Sequence, residues 1–183
     1  TNITIGADPE LFIINKSTNK VVSAIGIIPG EKGDPYVGPD MPKGFGLEID
    51  NILGEFNIPP CTTEEEFINN IQYMQNYIRS FVQNIDPNFD ILCAASMDVD
   101  KDQLEHPEAQ RFGCSPDYNA YSLAQNVAPD GAQGTLRSAG FHIHIGYNNP
   151  NVDTSLALVR YLDSYLGLPC ILKDTDKNRR SLY

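Results

Sequence analysis

The stretch Ala139-Gly140-Phe141-His142-Ile143-His144-Ile145-Gly146 decides how this chain reads. It alternates strictly, and alternate side chains of a strand project to opposite faces. His142 and His144 therefore share one face, about 7 Å apart at roughly 3.3 Å of rise per residue. Phe141, Ile143 and Ile145 are expected to point the other way, into a core. The chain has three histidines, and two of them sit here. A pair of solvent-facing polar residues on an edge strand is the plainer reading. Two other segments shift the balance, because they repeat the pattern with carboxylates.

One is the N-terminal run Ile3-Thr4-Ile5-Gly6-Ala7-Asp8-Pro9-Glu10-Leu11-Phe12, where Gly6, Asp8 and Glu10 share a face opposite Ile3, Ile5, Ala7 and Leu11. The other is Gly46-Leu47-Glu48-Ile49-Asp50-Asn51, where Glu48 and Asp50 project together against Leu47 and Ile49. Each strand thus offers two potential ligands at i and i+2 with an apolar reverse face. Paired carboxylates repel unless a cation offsets them. If the three strands share a sheet, four carboxylates and two imidazoles gather on one face. Oxygen-rich ligation with one or two histidine nitrogens suits Mg²⁺ or Mn²⁺ better than a structural zinc.

Size and charge narrow the remaining classes. With 183 residues the chain fits a single domain, 1–183, able to bury a sizeable core. A net charge of −11 argues against broad nucleic-acid or anionic-membrane binding, since no basic patch can release counterions from phosphates. Cys61, Cys93, Cys114 and Cys170 show no CxxC spacing and read as buried free thiols of a reducing compartment. No signal peptide is recognisable, and no apolar run is expected to reach membrane-spanning length. The expectation is a cytoplasmic protein, with no nucleic-acid or membrane partner.

Strands are expected over 2–14 and 21–28, joined as a hairpin by the turn-rich 15–20. The glycines and prolines of 29–46 mark a long loop, of the functional or mobile kind, without a GxxxxGK[ST] or GxGxxG pattern. A strand over 47–58 is expected to end at Pro59-Pro60. Thr62 with Glu65 predicts a capping box for a helix reaching about Gln83, with Phe67, Ile71, Met74, Ile78, Phe81 and Val82 on its sheet-facing stripe. Another strand is expected over 91–99, then an irregular stretch to about 134 in which His106 reads as a plain surface histidine. After the His-x-His strand, Asp153 predicts a helix cap. Leu156, Val159, Leu162 and Leu166 would face inward, and Gly167 and Pro169 would end the helix. Hairpin-type strands with two covering helices predict an α+β fold on an antiparallel sheet, polar on one face and helix-covered on the other.

Several blocks together resemble a known family. They are Gly6-Ala7-Asp8-Pro9-Glu10-Leu11-Phe12; Gly46 to Asn51 followed by Glu55-Phe56-Asn57-Ile58-Pro59-Pro60; and Phe112-Gly113-Cys114-Ser115-Pro116-Asp117-Tyr118-Asn119-Ala120. Arg137-Ser138 leading into the His-x-His strand, Leu166-Gly167-Leu168-Pro169 and Arg179-Arg180-Ser181-Leu182-Tyr183 complete the set. In this order they resemble the phage carboxylate–amine ligases, type 2, of the glutamine synthetase and glutamate–cysteine ligase superfamily.

The resemblance implies a glutamine synthetase-like catalytic fold and ATP-dependent amide formation. ATP would phosphorylate a carboxylate, and an amine would displace phosphate from the acyl phosphate. It implies Asp8, Glu10, Glu48 and His142 as Mg²⁺ (or Mn²⁺) ligands and His144 as the contact to the ATP phosphates. Asp50, Asn51 and Glu55 would receive the amine substrate or a further metal. Arg137, Arg179 and Arg180 would stabilise the transferring phosphoryl group. In the family a glycine-rich turn and a closing strand follow an Arg-Arg-x-Leu-Tyr segment. The expectation is therefore a C-terminally incomplete fold that self-associates or pairs with a missing C-terminal portion, in a bacterial host cytoplasm if phage-encoded. The alternatives are a non-catalytic phage structural or binding protein retaining the ligase fold, and a metal-dependent hydrolase or cupin-type oxygenase. The last would want a Glu shortly after the second His, and 146–150 supplies none.

Overall fold

Strand β1 (Thr4–Asn15) is the spine of the molecule, and it pairs directly with four of the other five strands of a six-stranded antiparallel sheet. The computed structural model describes residues 3–110, 118–126, 134–173 and 175–182. Along one edge β1 pairs with β4 (Leu53–Cys61), and along the other with β8 (Phe141–Gly146). Its C-terminal end is flanked by β2 (Lys20–Val22) and β5 (Phe89–Leu92), and β3 (Gly46–Asp50) closes the far side on β4. A separate two-stranded sheet joins β6 (Ser96–Asp98) to β7 (Leu136–Ser138). The α+β architecture on an antiparallel sheet is as expected.

The expected β1–β2 hairpin forms, with Asn15 accepting from Ser17 in the turn and Asn19 in the left-handed region. β2 is shorter than the 21–28 expected: Gly26, at φ +78°, turns the chain so that Ile28 drops into the core. The expected strand over 47–58 is instead a hairpin. Asn51 adopts φ +56°, which asparagine tolerates, and the chain reverses at Asn51-Ile52 to make β3 and β4. Pro59-Pro60 does not end β4. The β1–β4 register shifts between Ile5 and Ala7, and a strand irregularity of this kind accepts residues that lack an N–H. The strand expected over 91–99 also divides, β5 joining the large sheet and β6 the small one.

Helix α1 (Glu64–Ile85) covers the reverse face of the sheet. Its capping box is Thr63 with Glu66, one residue later than the sequence suggested, and Glu66 also accepts from Thr62. Met74, Ile78 and Val82 pack into a core with Leu11, Leu47 and Phe56. A second core forms under the opposite face, where Phe12, Ile52 and Leu53 meet Val99, Leu104 and Ala109 from two short helical turns, Lys101–Leu104 and Pro107–Gln110.

The C-terminal third departs most from expectation. Asn151, not Asp153, caps α2 (Val152–Leu162). A π-helical turn over Asp163–Gly167 then carries the chain into α3 (Leu168–Lys173), so neither Gly167 nor Pro169 stops the helix. A π turn relaxes the i→i−4 ladder and so accommodates a proline without a break. Read through, Val152–Lys173 is long and apolar enough to cross a membrane by length and composition, which corrects the expectation of no such run. The inward face expected for α2 forms only in part: Leu156 and Leu162 are half-buried, while Val159 and Leu166 are exposed and no residue of the helix is fully buried. Phe141 and Ile143 of β8 are exposed as well, because α1 covers β1, β4 and β5 and leaves the back of β8 open. Of the described cysteines only Cys61 is buried, and Cys93 and Cys170 are exposed. The short α4 (Lys177–Leu182) follows, capped by Asp176.

Candidate functional site

Registers across three strand pairs assemble the polar face. Asp8 on β1 stands opposite His142 on β8, and Gly6 opposite His144. Glu10 on β1 stands opposite Glu55 on β4, and Glu55 in turn opposite Glu48 on β3. Three glutamates therefore form one row across β1, β4 and β3, with the Asp8 and histidine pair beside it. Glu55 enters this row only because the chain reverses at Asn51. On a single strand it would lie on the face opposite Glu48, seven residues away.

Ligand-bearing oxygens and nitrogens converge in two overlapping sets. Asp8, Glu55 and His142 can each present an atom within 4.8 Å of the others, and so can Glu10, Asp50 and Glu55. Glu55 belongs to both. It is 8% exposed, and no hydrogen bond or ion pair reaches its carboxyl from the described residues. Burial pushes its pKa up to about 8, with the charges of Glu10, Asp50, Asp8 and Glu48 adding to the effect. Glu10 is also raised, chiefly by burial, while the Gly140 N–H at 2.7 Å draws it back. That N–H contact leaves little room: a Cβ on Gly140 would stand 3.3 Å from Glu10 Oε1.

Asp8 Oδ1 lies 2.9 Å from His144 Nε2 and 3.6 Å from His142 Nδ1, with both imidazoles largely exposed. A loop bearing Lys32 and Gly33 comes over β3 from the other side. Lys32 Nζ makes an ion pair with Asp50 at 2.6 Å, and the Gly33 N–H donates to Glu48 at 3.0 Å. Glu48 lies outside both converging sets and uses this backbone donor instead. Two clefts flank the cluster. One of about 450 Å³ runs past Asp8, His144, Gly6 and Asn57. The other, about 790 Å³, opens at Asp50 and Lys32.

The remaining expected residues are placed elsewhere. Arg137 is 2% exposed and donates to Asn51 Oδ1, to Ala109 O and to the carbonyls of Gly134 and Leu136. Asn51 also donates to Ala109 O, so this pair pins the β3–β4 turn to the Pro107–Gln110 segment. The tail does fold back: Asp176 accepts from Ser96, and Arg179 donates to Ala139 O at 3.1 Å, one residue from the Gly140 that holds Glu10. The Arg180 side chain and most of the Phe112–Ala120 block lie outside the described residues. Sequence reasoning passed over Lys32, and His106, read as a plain surface histidine, is indeed exposed. Lys32 offers one signal, a lone cation between Gly30 and Gly33 in a loop too glycine-rich for a regular element. Compared with protein-family models and with curated protein sequences, the chain matches none.

Proposed function

We propose that this chain is a divalent-metal-dependent carboxylate–amine ligase that uses ATP to activate a carboxylate. The observation that carries the reading is Glu55, a buried carboxylate facing Glu10, Asp50 and Asp8 with no hydrogen bond or ion pair to its carboxyl among the described residues, the Lys32 charge acting on it only at longer range. Such crowding is costly unless an ion shares it. Oxygen donors with one imidazole suit Mg²⁺ or Mn²⁺. Asp8, Glu55 and His142 would hold one ion, and Glu10, Asp50 and Glu55 a second or an alternative position. An ion held there would supply positive charge against the negative charge that develops on phosphoryl transfer.

The chain's own groups supply positioning. His144 and Asp8 border the smaller cleft, where His144 would meet the nucleotide phosphates. The substrate carboxylate attacks the γ-phosphorus, ADP departs, and the amine nitrogen then attacks the acyl carbon, losing a proton as phosphate leaves. Gly140 holds Glu10 in place during these events, and Arg179, anchored on Ala139 O, stiffens the same turn. Calorimetric titration with Mg²⁺ and a non-hydrolysable ATP analogue tests the site. Phosphate release across a panel of carboxylates and amines tests the chemistry. Nucleotide affinity that is unchanged in His144→Ala and Glu55→Gln would reject the reading.

A second reading has one observation in its favour. Arg137, expected to face the transferring phosphoryl group, is bound to Asn51 and backbone carbonyls instead. A non-catalytic relative that keeps the fold and binds metal without turnover fits that placement, and the phosphate-release assay separates the two.

A further inference from the structure

The link between β7 and β8 is held at every backbone group it has. Only Ala139 and Gly140 separate the two strands. The Ala139 N–H donates to Ala95 O at 3.0 Å, and the Gly140 N–H to Glu10 Oε2 at 2.7 Å. The Gly140 carbonyl accepts from the Glu10 N–H at 3.0 Å, and the Ala139 carbonyl from the Arg179 guanidinium at 3.1 Å. Three of these four partners come from β1 and from the segment joining β5 to β6. Arg179 alone comes from the C-terminal segment.

That segment is tied down next to the link. β6 pairs with β7 so that Ser96 stands opposite Ser138, the residue before Ala139. The Ser96 hydroxyl donates to the Asp176 carboxylate at 2.7 Å. Asp176 in turn accepts from the N–H groups of Asn178 and Arg179 at 3.0 Å, at the start of α4. The Arg179 N–H, and then the Ser96 hydroxyl, hold the Asp176 carboxyl below the usual carboxylate range, so it is an ionised acceptor at neutral pH. Of residues 175–179 only Asp176 and Arg179 are half-buried, and the others are exposed. A helix as short as α4 is not stable by itself, so its place depends on tertiary contacts such as these.

We infer that Asp176 and Arg179 are positioning residues for the cation cluster: anchored on Ser96, they brace the Ala139-Gly140 link, and the link aims the Glu10 carboxylate. The role rests on the metal reading above, whereas the brace itself does not. Neither residue belongs to the two converging ligand sets, so their influence passes through the backbone of the link. Charge and bracing predict opposite signs for Arg179. Taking away a cation should by Coulomb's law strengthen the binding of another cation nearby. Taking away the brace should weaken it.

The full chain and its Arg179→Met and Asp176→Asn variants are titrated with Mn²⁺ alone, followed by the EPR signal of the free ion. Exchange of the Gly140 amide is followed by NMR without metal. Each variant is expected to weaken Mn²⁺ about threefold, at the low end of what one hydrogen bond contributes. In a Gly140→Ala background, where the Glu10 contact is already disturbed, Arg179→Met should add nothing. The Gly140 amide should exchange about tenfold faster in both variants, while the amides of α1 keep their parental rates and so exclude general unfolding. Mn²⁺ affinity that is unchanged or raised in Arg179→Met overturns the inference, as does a loss that persists in full in the Gly140→Ala background. A Gly140 amide that exchanges at the parental rate in both variants overturns it too. A parent chain that binds no Mn²⁺ sinks the metal reading and this role with it, while faster Gly140 exchange would still establish the brace.

Discussion

Glu10 and Glu55 stand directly opposite each other on neighbouring strands, and Glu55 also faces Glu48 on its other side. Like charges in such a row destabilise a sheet. The protein carries the conflict with Glu55 protonated well above the ordinary carboxyl range, at a pKa of about 8. That makes pH a direct probe of the site.

In the unfolded chain Glu55 titrates near 4.5, and in the folded chain near 8. Between these values the folded state binds the extra proton, so its stabilising effect is complete below 4.5 and is lost as pH rises through about 8. Thermal unfolding of the metal-free protein should therefore show a lower Tm at pH 8.5 than at pH 5.5, by about 3 °C or more, since 1 kcal/mol shifts a chain of this size by roughly 2–4 °C. Glu55→Gln should flatten that trend and raise Tm at pH 8.5. A variant as pH-sensitive as the parent would remove Glu55 as the cause.

Added Mn²⁺ should reverse the same trend. Binding requires the ionised carboxylate, so affinity rises with pH up to about 8 and the thermal stabilisation by Mn²⁺ grows with it. In Glu55→Gln the Mn²⁺ shift should shrink at every pH. Equal shifts at pH 5.5 and 8.5 in the parent would count against metal binding through Glu55.

Gly140→Ala is expected to damage the site without unfolding the chain. The new Cβ, 3.3 Å from Glu10 Oε1, must shift the carboxylate by a few tenths of an ångström against the Gly140 N–H and so disturb its aim. Mn²⁺ affinity should fall about tenfold, roughly 1.4 kcal/mol, with Tm changed by no more than a few degrees. Unaltered affinity would show that Glu10 does not need this clamp.

Arg137 separates architecture from chemistry. It is buried, and its guanidinium bonds Asn51 and three carbonyls. Arg137→Met should cost about 3 kcal/mol or more by leaving those acceptors unpaired, with a broadened or lost unfolding transition. Arg137→Lys should recover little, because one ammonium cannot span the same acceptors. A Met variant of normal Tm that had lost only nucleotide affinity would return Arg137 to the phosphate.

Thr63→Ala serves as the remote control. Losing the N-cap side chain costs about 1 kcal/mol, or roughly 2–4 °C in Tm, and the cap lies at the start of α1, on the sheet's reverse face. Mn²⁺ and nucleotide binding should be unchanged. A joint loss would mean that binding tracks stability and not the site.

Alternation is written into covalent geometry, so the sequence alone determined which side chains travel together. Asp8 with Glu10, Glu48 with Asp50 and His142 with His144 each fall on one face wherever their strand is placed. The stripe of α1 was legible for the same reason, since its period is local. Register, reversal and burial are not local, and these the tertiary structure decided. Asn51 in the left-handed region folds one expected strand into two, and that reversal alone brings Glu55 beside Glu10. Packing against Ala109 and Asn51 takes Arg137 away from the polar face, and a π turn carries a helix through Pro169 that the sequence marks as its end. Lys32 reaches Asp50 because loop 29–45 closes over β3, a contact eighteen residues apart that no periodicity encodes.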